Sequence, residues 1–588
     1  MRATTFAFLL SVSLAASAAA EQRWYVFSIA DTPVGHVSED VEGGQTHTVV
    51  FARLVRLGKG IDMRFETTVT ESPAGAFEAL TYEAVLSQQP MRVEARVLGD
   101  RIRIATPPHE RFVERGSETP LGPAAVARRT GERLRAAGDS IDFAIFSPEL
   151  QKVVRVRRKV LAAAEPVACN GARGNRLEEV IEGLPAARTL WVDGEGVMLA
   201  DATPGPFGTM TSCRATREAA LAAHGELPAD LYERTVARSN VRFADATAID
   251  RLVLRVRPRD ASETLPDLTA ANQRLVAPAT VEVTRPHRSP GHDVATDAER
   301  GPNALVQSDD PAVVAVAQGV VGADTYAVAQ ALTRWVAENL SLDAGIVMAP
   351  ASELVRDRKA TCVGYATLLA ALARAKGVPS RVVMGYVYYG GIWGGHAWTE
   401  LLVDGSWLPF DAAVYAPGVA SAARLAAGRS DLADGGGSLL PALAALFGRV
   451  EIDVLEYEQA GRTTRAGAGS SPYRVADGNY ENPGLGLRVR AAGWTVERAE
   501  STWPSPLVVA FRRGETVVEL RQLPRFPEAP ESQQGEATVV EDEGGTRWVW
   551  SATGPDAAGA LREILAGVER TSGRATRSAG QRSERRRR

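Results

Sequence analysis

Residues 351–417 hold three side chains whose types could make and break an acyl bond: Cys362, His396 34 positions later, and Asp411 15 positions after that. A thiolate attacks a carbonyl carbon, an imidazole carries the proton, and a carboxylate orients the imidazole. The local settings suit those roles. After Cys362, the residues Val363, Ala366, Leu369, Ala370 and Ala373 recur at helical spacing, Thr361 can cap the start, and Gly377 and Pro379 end the run. A cysteine in a first helical turn sits at the positive end of the helix dipole, which favours thiolate over thiol. The first-turn N–H groups have no intrahelical acceptor and can donate to an oxyanion. His396, the only one of seven histidines beyond Cys362, follows a glycine-rich loop and begins an apolar run that reads as a strand. Asp404-Gly405 is a two-residue hairpin turn. Counting outward from it, His396 faces about position 413, and Asp411 lies two residues off that register. Each residue alone has a plainer reading: a buried structural thiol, a satisfied histidine, a turn-capping aspartate. Together they read as a Cys-His-Asp triad in chain order.

The elements that must position these groups follow from the flanking pattern. Residues 312–319 and 325–340 repeat apolar positions every three or four residues, and Asp324 is a plausible N-cap. Residues 377–415 read as strands. Residues 416–445 are rich in Ala, Gly and Leu, with a flexible point at 435–437, and 461–473 reads as a Gly/Ser linker. Upstream, 21–225 is β-rich, with a hairpin at 188–200 turning at Asp193-Gly194; 226–298 is a second β region ending in a polar loop, 285–302. Residues 474–570 read as a small α/β domain with strands at 485–489, 507–511, 517–520 and 548–551 and a terminal helix at 557–568. The division expected is therefore 1–20 leader, 21–225 β-rich domain, 226–298 β segment, 299–445 core, 446–473 linker, 474–570 small domain and 571–588 disordered basic tail. The fold class expected is multidomain α+β.

With 588 residues, 45% of them hydrophobic and 23% charged, the chain has the balance of several globular domains and not of a disordered or fibrous one. Residues 571–588 carry seven Arg and one Glu, net +6, leaving −10 on the rest of a chain of net charge −4. An acidic body argues against a dedicated nucleic-acid binder. Three cysteines exclude a disulfide-dense scaffold and a four-cysteine zinc site. Arg2, an apolar stretch at 6–14 and the small residues Ala18, Ala19 and Ala20 form a secretory leader cut after Ala20. The stretch is too short to span a bilayer, so an exported protein, periplasmic or extracellular and without a membrane span after cleavage, is expected.

The residues around the triad resemble the transglutaminase-like superfamily, from about 324 to 415. The resemblance rests on Trp335 in the helix before the cysteine, the Cys362 helix and the exit Lys376, Gly377, Val378, Pro379, Ser380, Arg381. It also rests on Gly385 and Tyr386, on His396, Ala397, Trp398, Thr399, Glu400, and on Trp407 followed by Leu408, Pro409, Phe410, Asp411. Where the family often has glycine two residues before the cysteine, this chain has Ala360. The resemblance implies a papain-like core with Cys362 as nucleophile, His396 as general base and acid and Asp411 as orienting residue. It implies acyl transfer or hydrolysis at a carboxamide or peptide bond through a thioester, on a protein or peptide substrate, with crosslinking and hydrolysis both open. The rival reading is a non-catalytic protein- or glycan-binding envelope module on the same fold.

Trp393, Trp398 and Trp407 cluster around the triad in sequence and are candidates to line the acyl-donor cleft, with core packing the alternative. Cys169 and Cys213 can pair in an oxidising compartment and leave Cys362 free, or remain two buried thiols. His287, His292 and Asp293 fit no standard metal signature, no acidic run resembles a calcium loop, and no cofactor or metal is expected.

Overall fold

The computed structural model describes residues 21–570 apart from 57–58, 86–89, 185, 206–207, 224–233, 262, 347, 499–506, 525–536 and 544–545. The expected leader at 1–20 and basic tail at 571–588 lie outside the described residues.

Fourteen strands between Glu21 and Ala215 form one antiparallel sheet. The first strand, Glu21–Ile29, lies in its middle, paired on one side with Thr32–Glu42 and on the other with the last strand, Gly208–Ala215. From there the order runs outward in both directions, to His109–Glu114 at one edge and Ser140–Ser147 at the other. The cause is alternation: in Lys152–Pro166, Val154, Val156 and Val160 are buried while Arg155 and Arg157 face outward. The sheet curls until its two halves touch, so that Phe77 stacks on Phe146 with ring centroids 5.2 Å apart. The Leu121 N–H reaches the Ala144 carbonyl, and helix Pro123–Arg133 follows that crossing. Cys169 and Cys213 are joined by a disulfide within this unit.

A five-stranded sheet then brackets the core from both sides in sequence. Ile249–Pro258 pairs with Thr280–Thr284 and, across about two hundred residues, with Val450–Gln459, which in turn pairs with Arg462–Arg465. The stretch 446–473 is thus not a linker throughout. Its first half buries Val450, Ile452 and Val454, and Arg462–Arg465 closes a hairpin on it.

In the core, helices Pro311–Gly319, Thr325–Asn339, Ala351–Asp357 and Cys362–Ala375 pack on a sheet ordered Ala237–Arg238, Ile392–Val403, Ser380–Tyr389, Arg424–Ser430, with Ser406–Phe410 also on Ile392–Val403. Asp324 caps its helix by accepting from the Ala327 N–H at 2.8 Å. The Cys362 helix is buried from Val363 to Arg374, which its near-absence of polar residues permits. It ends where Gly377 takes φ 75° and the Val378 N–H turns back to the Ala373 carbonyl. The strand Arg424–Ser430 lies within the Ala/Gly/Leu-rich stretch 416–445, before its expected flexible point at 435–437.

The small C-terminal unit has two antiparallel sheets and helix Ala557–Ala566 around Phe511, Trp550, Leu561 and Ile564. Its strand pairs are all antiparallel among the described residues, so it is α+β and not the α/β arrangement expected. Hydrophobic periodicity located its strands and helix but carries no information on strand direction. Among the described residues no helix is long and apolar enough to cross a membrane.

Candidate active site

The chain reaches Cys362 through a tight entry. Arg358 takes the left-handed conformation, φ 55°, which ends helix Ala351–Asp357. Its guanidinium lies over Trp335 at 4.7 Å and donates to Asn339 Oδ1 at 2.8 Å. Lys359–Ala360 then pairs in parallel with Ser341–Leu342, so the backbone is extended until Thr361, the N-cap. Cys362 is the first residue of its helix, outside any disulfide and half-buried. Ala360, fully buried where the family often has glycine, fits because glycine stands one turn on: a Cβ at Gly364 would fall 2.6 Å from the Ala360 Cβ.

The strand Ile392–Val403 is held against this helix by a side-chain bond. Thr399 Oγ1, fully buried, donates to the Ala366 carbonyl at 2.9 Å. That bond fixes the strand's height along the helix three residues from His396 and four from Cys362. His396 pairs with Gly385 on the neighbouring strand, where a Cβ would fall 2.0 Å from the Leu425 carbonyl. Glycine there lets the strand that begins at Arg424 come in close.

His396 Nε2 lies 2.9 Å from Asp411 Oδ2. Asp411 stands one residue past strand Ser406–Phe410, whose pairing Val403 with Ser406 and Thr399 with Phe410 places it diagonally from His396. Asp411 Oδ1 accepts from the Ala413 and Val414 N–H groups at 3.0 and 2.9 Å. Its Oδ2 is shared: besides His396 it accepts Arg424 Nε at 3.0 Å and Nη2 at 2.6 Å. Arg424 is itself buried and spends its other donors on Ser421 and on the Val414 carbonyl. Sequence reading missed this arginine. Its signal was there: Arg424 is the only charged residue between Asp411 and Arg429.

The electrostatics follow. Burial by itself would lower the His396 pKa, but the Asp411 charge and hydrogen bond, with a further hydrogen bond and charge from Cys362, push it up to about 9. With Nε2 on Asp411, Nδ1 is the nitrogen left for the thiol. Burial would raise Asp411, yet the charges of His396 and Arg424 and the backbone donors hold it well below the usual carboxylate range. At neutral pH the raised His396 favours imidazolium beside the Asp411 carboxylate.

The tryptophans take different places. Trp393 is fully buried in the cluster on the other side of the sheet, edge-on to Tyr388 at 5.6 Å. Trp407 is buried beneath the Arg381 guanidinium at 4.1 Å. Both pack as core side chains. Trp398 is buried as well, and its ring lies nearly parallel to that of His396, centroids 6.3 Å apart. Asp293 accepts the Trp407 backbone N–H at 3.1 Å, and among the described residues no group of three or more His, Cys, Asp or Glu is placed to hold a metal.

Comparison with known proteins adds the following. Among curated proteins none matches the chain. Solved structures with similarity include a β-barrel-like protein of a domain of unknown function from Brucella abortus, 10% identical, covering 34% of this chain and 96% of its own, TM-score 0.27. They include a candidate cysteine protease from Cytophaga hutchinsonii, 16% identical, covering 38% and 84%, TM-score 0.21. A candidate protease from Parabacteroides distasonis is 9% identical over 88% of this chain and 95% of its own, TM-score 0.17. The family model that matches is described as the transglutaminase-like superfamily, over residues 314–412. Residues 314–412, which carry Cys362, His396 and Asp411, belong to the transglutaminase-like superfamily.

Proposed function

We propose that this protein is an exported thiol enzyme that transfers or hydrolyses an acyl group at a carboxamide or peptide bond of a protein or peptide. The observation that carries the reading is the joining of three groups. A thiol stands at a helix start, the histidine ring interacts with it, and that ring is held by Asp411 at 2.9 Å.

The Cys362 thiolate attacks the carbonyl carbon, and first-turn N–H groups receive the developing oxyanion. The C–N bond breaks as the His396 imidazolium gives its Nδ1 proton to the leaving nitrogen, which departs as ammonia or amine and leaves a thioester. Neutral His396 then takes a proton from water or a second amine, which attacks the thioester and expels Cys362 as thiolate. Water yields an acid, and an amine yields a new amide. Asp411 keeps the ring's Nε2 occupied and stabilises its positive form. Export is supported by the leader-like residues 1–20 and by the disulfide between Cys169 and Cys213, since such bonds persist in oxidising compartments.

The test is release of ammonia from glutamine-containing peptides and cleavage of unstructured proteins, each with and without a primary amine. Activity should vanish in Cys362→Ala and fall about 10²–10⁴-fold in His396→Ala. Equal turnover in Cys362→Ala and wild type would exclude the reading.

A further inference from the structure

A second polar site lies away from Cys362, where the core meets the C-terminal unit. It is a cavity of about 270 Å³ walled by the turn at Gly391 and Ile392, by Asn240 and Arg242, and by residues 469–473. Arg242 is 4% exposed. Its Nε donates to Gln522 Oε1 at 2.9 Å and its Nη1 to the Leu507 carbonyl at 3.2 Å, but Nη2, also buried, has no partner among the described residues. Both partners it has are neutral. Burial pulls its pKa down, and the groups opposing that shift are the phenols of Tyr388, Tyr480 and Tyr389, with no carboxylate among them.

A buried guanidinium without a counter-charge is costly, because desolvation is not repaid. Elsewhere in this chain half-buried Arg158 meets Glu179 at 2.7 Å and buried Arg424 meets Asp411 at 2.6 Å, while buried Arg374 has its guanidinium taken up by the Gly301, Ser380 and Asp431 carbonyls. The carboxylate in the cavity wall, Asp453, does not serve Arg242. It accepts from Arg257 at 3.2 Å and from the Gly469 N–H at 3.1 Å. Arg238, which also lines the cavity, adds a second cation. The neighbouring amides are engaged elsewhere and do not accept from Nη2. Asn240 is consumed by the Val454 and Gly467 carbonyls and the Val454 N–H, and Asn482 by Tyr480 and the Leu485 N–H.

We propose that this cavity binds a small oxyanion, the carboxylate or phosphate group of a ligand, with Arg242 Nη2 as its buried donor. A guanidinium edge suits either group, since both present paired oxygens to it. The volume admits a small molecule or the terminal group of a longer one. Binding there would close the seam between the core and the C-terminal unit, next to the turn that begins the His396 strand. The site is independent of the chemistry at Cys362.

The test is calorimetric titration of the full-length protein with inorganic phosphate and, separately, acetate, at constant ionic strength set with chloride. Saturable one-site binding of either anion is expected, phosphate alone marking a phosphorylated ligand and acetate alone a carboxylic acid. Arg242→Gln should weaken it by at least about tenfold, the worth of a charge-assisted bond. Ser471→Asp, at the exposed rim, adds a competing carboxylate without touching the buried donor and should abolish binding if Arg242→Gln fails to fold. Absence of saturable binding of both anions, or binding unchanged in Ser471→Asp, would overturn the proposal.

Discussion

Oδ2 of Asp411 serves two cations, and the balance between them sets the site. Arg424 and His396 both hold the carboxylate ionised, so Asp411 cannot take the histidine's proton and acts only through orientation and charge. Replacing Asp411 by Asn should lower the His396 pKa and raise the pH at which Cys362 becomes reactive by about one unit or more, read by thiol alkylation. Arg424 acts through Asp411 and is a positioning residue. Arg424→Met should cost about 3 kcal/mol of stability, the range for breaking a buried pair, and lower kcat with KM little changed. Arg424→Lys should restore part of kcat and shift the pH profile back toward wild type. The linkage has a definite sign. His396 is raised above its ordinary value of about 6.5, so its share of stability is full below that pH and is lost as pH rises through about 9. Asp411 is lowered, so its share is present above its ordinary carboxylate value and is lost only as pH falls through the depressed one. Scanning calorimetry should therefore show a wild-type Tm that falls between pH 7 and pH 10 more than that of His396→Gln. Cys362, His396 and Asp411 were readable because each lies within a hairpin or helix start whose punctuation is local. Arg424 was marked only as the sole charge between Asp411 and Arg429, and nothing local named its partner, which lies across strand Ser380–Tyr389.

Two small contacts carry the geometry from one element to the next. Gly364 lets helix Cys362–Ala375 approach the Ala360 entry, where an added Cβ would meet another at 2.6 Å. Gly364→Ala should destabilise the protein by about 1–3 kcal/mol, as overpacking does, and slow alkylation of Cys362, since the entry must move. A larger effect on labelling than Gly395→Ala, whose added methyl would meet the Phe447 ring at 3.0 Å, would distinguish a local effect from general loosening. Thr399 sets the height of the His396 strand on the same helix. Thr399→Val keeps the shape, costs about 1 kcal/mol for the lost bond, and should lower kcat while leaving substrate affinity near wild type. Helix spacing and the Asp404-Gly405 turn made these elements legible in sequence. Their mutual height was not, because a hydroxyl that bonds a carbonyl on another element leaves no periodic trace.

At the scale of the whole molecule, the core is closed by strands from both its flanks. Ile249–Pro258 and Val450–Gln459 pair over ten residues' length, so 226–473 should be one cooperative unit. A fragment of residues 226–473 should melt in a single transition by circular dichroism, whereas 226–449, which lacks the partner strand, should show none. Composition misread this stretch because the Gly/Ser-rich 466–471 drew attention from the β-branched run before it. The order of the fourteen-stranded sheet was equally hidden: alternation marks which face of a strand is buried but not which strand lies beside it. Its disulfide closes a span of 44 residues, which in the chain-entropy account is worth about 4 kcal/mol. Reduction, or Cys169→Ser with Cys213→Ser, should lower the melting temperature of the β-rich unit and leave Cys362 labelling unchanged.

The most direct test of the account is the rate of iodoacetamide labelling of Cys362 as a function of pH on the folded protein, read by peptide mass spectrometry, in wild type and His396→Ala. The account predicts a midpoint well below the roughly 8.5 of a free thiol, moving upward in the variant. A midpoint near that free-thiol value in both proteins, or no labelling until the chain unfolds, would contradict it.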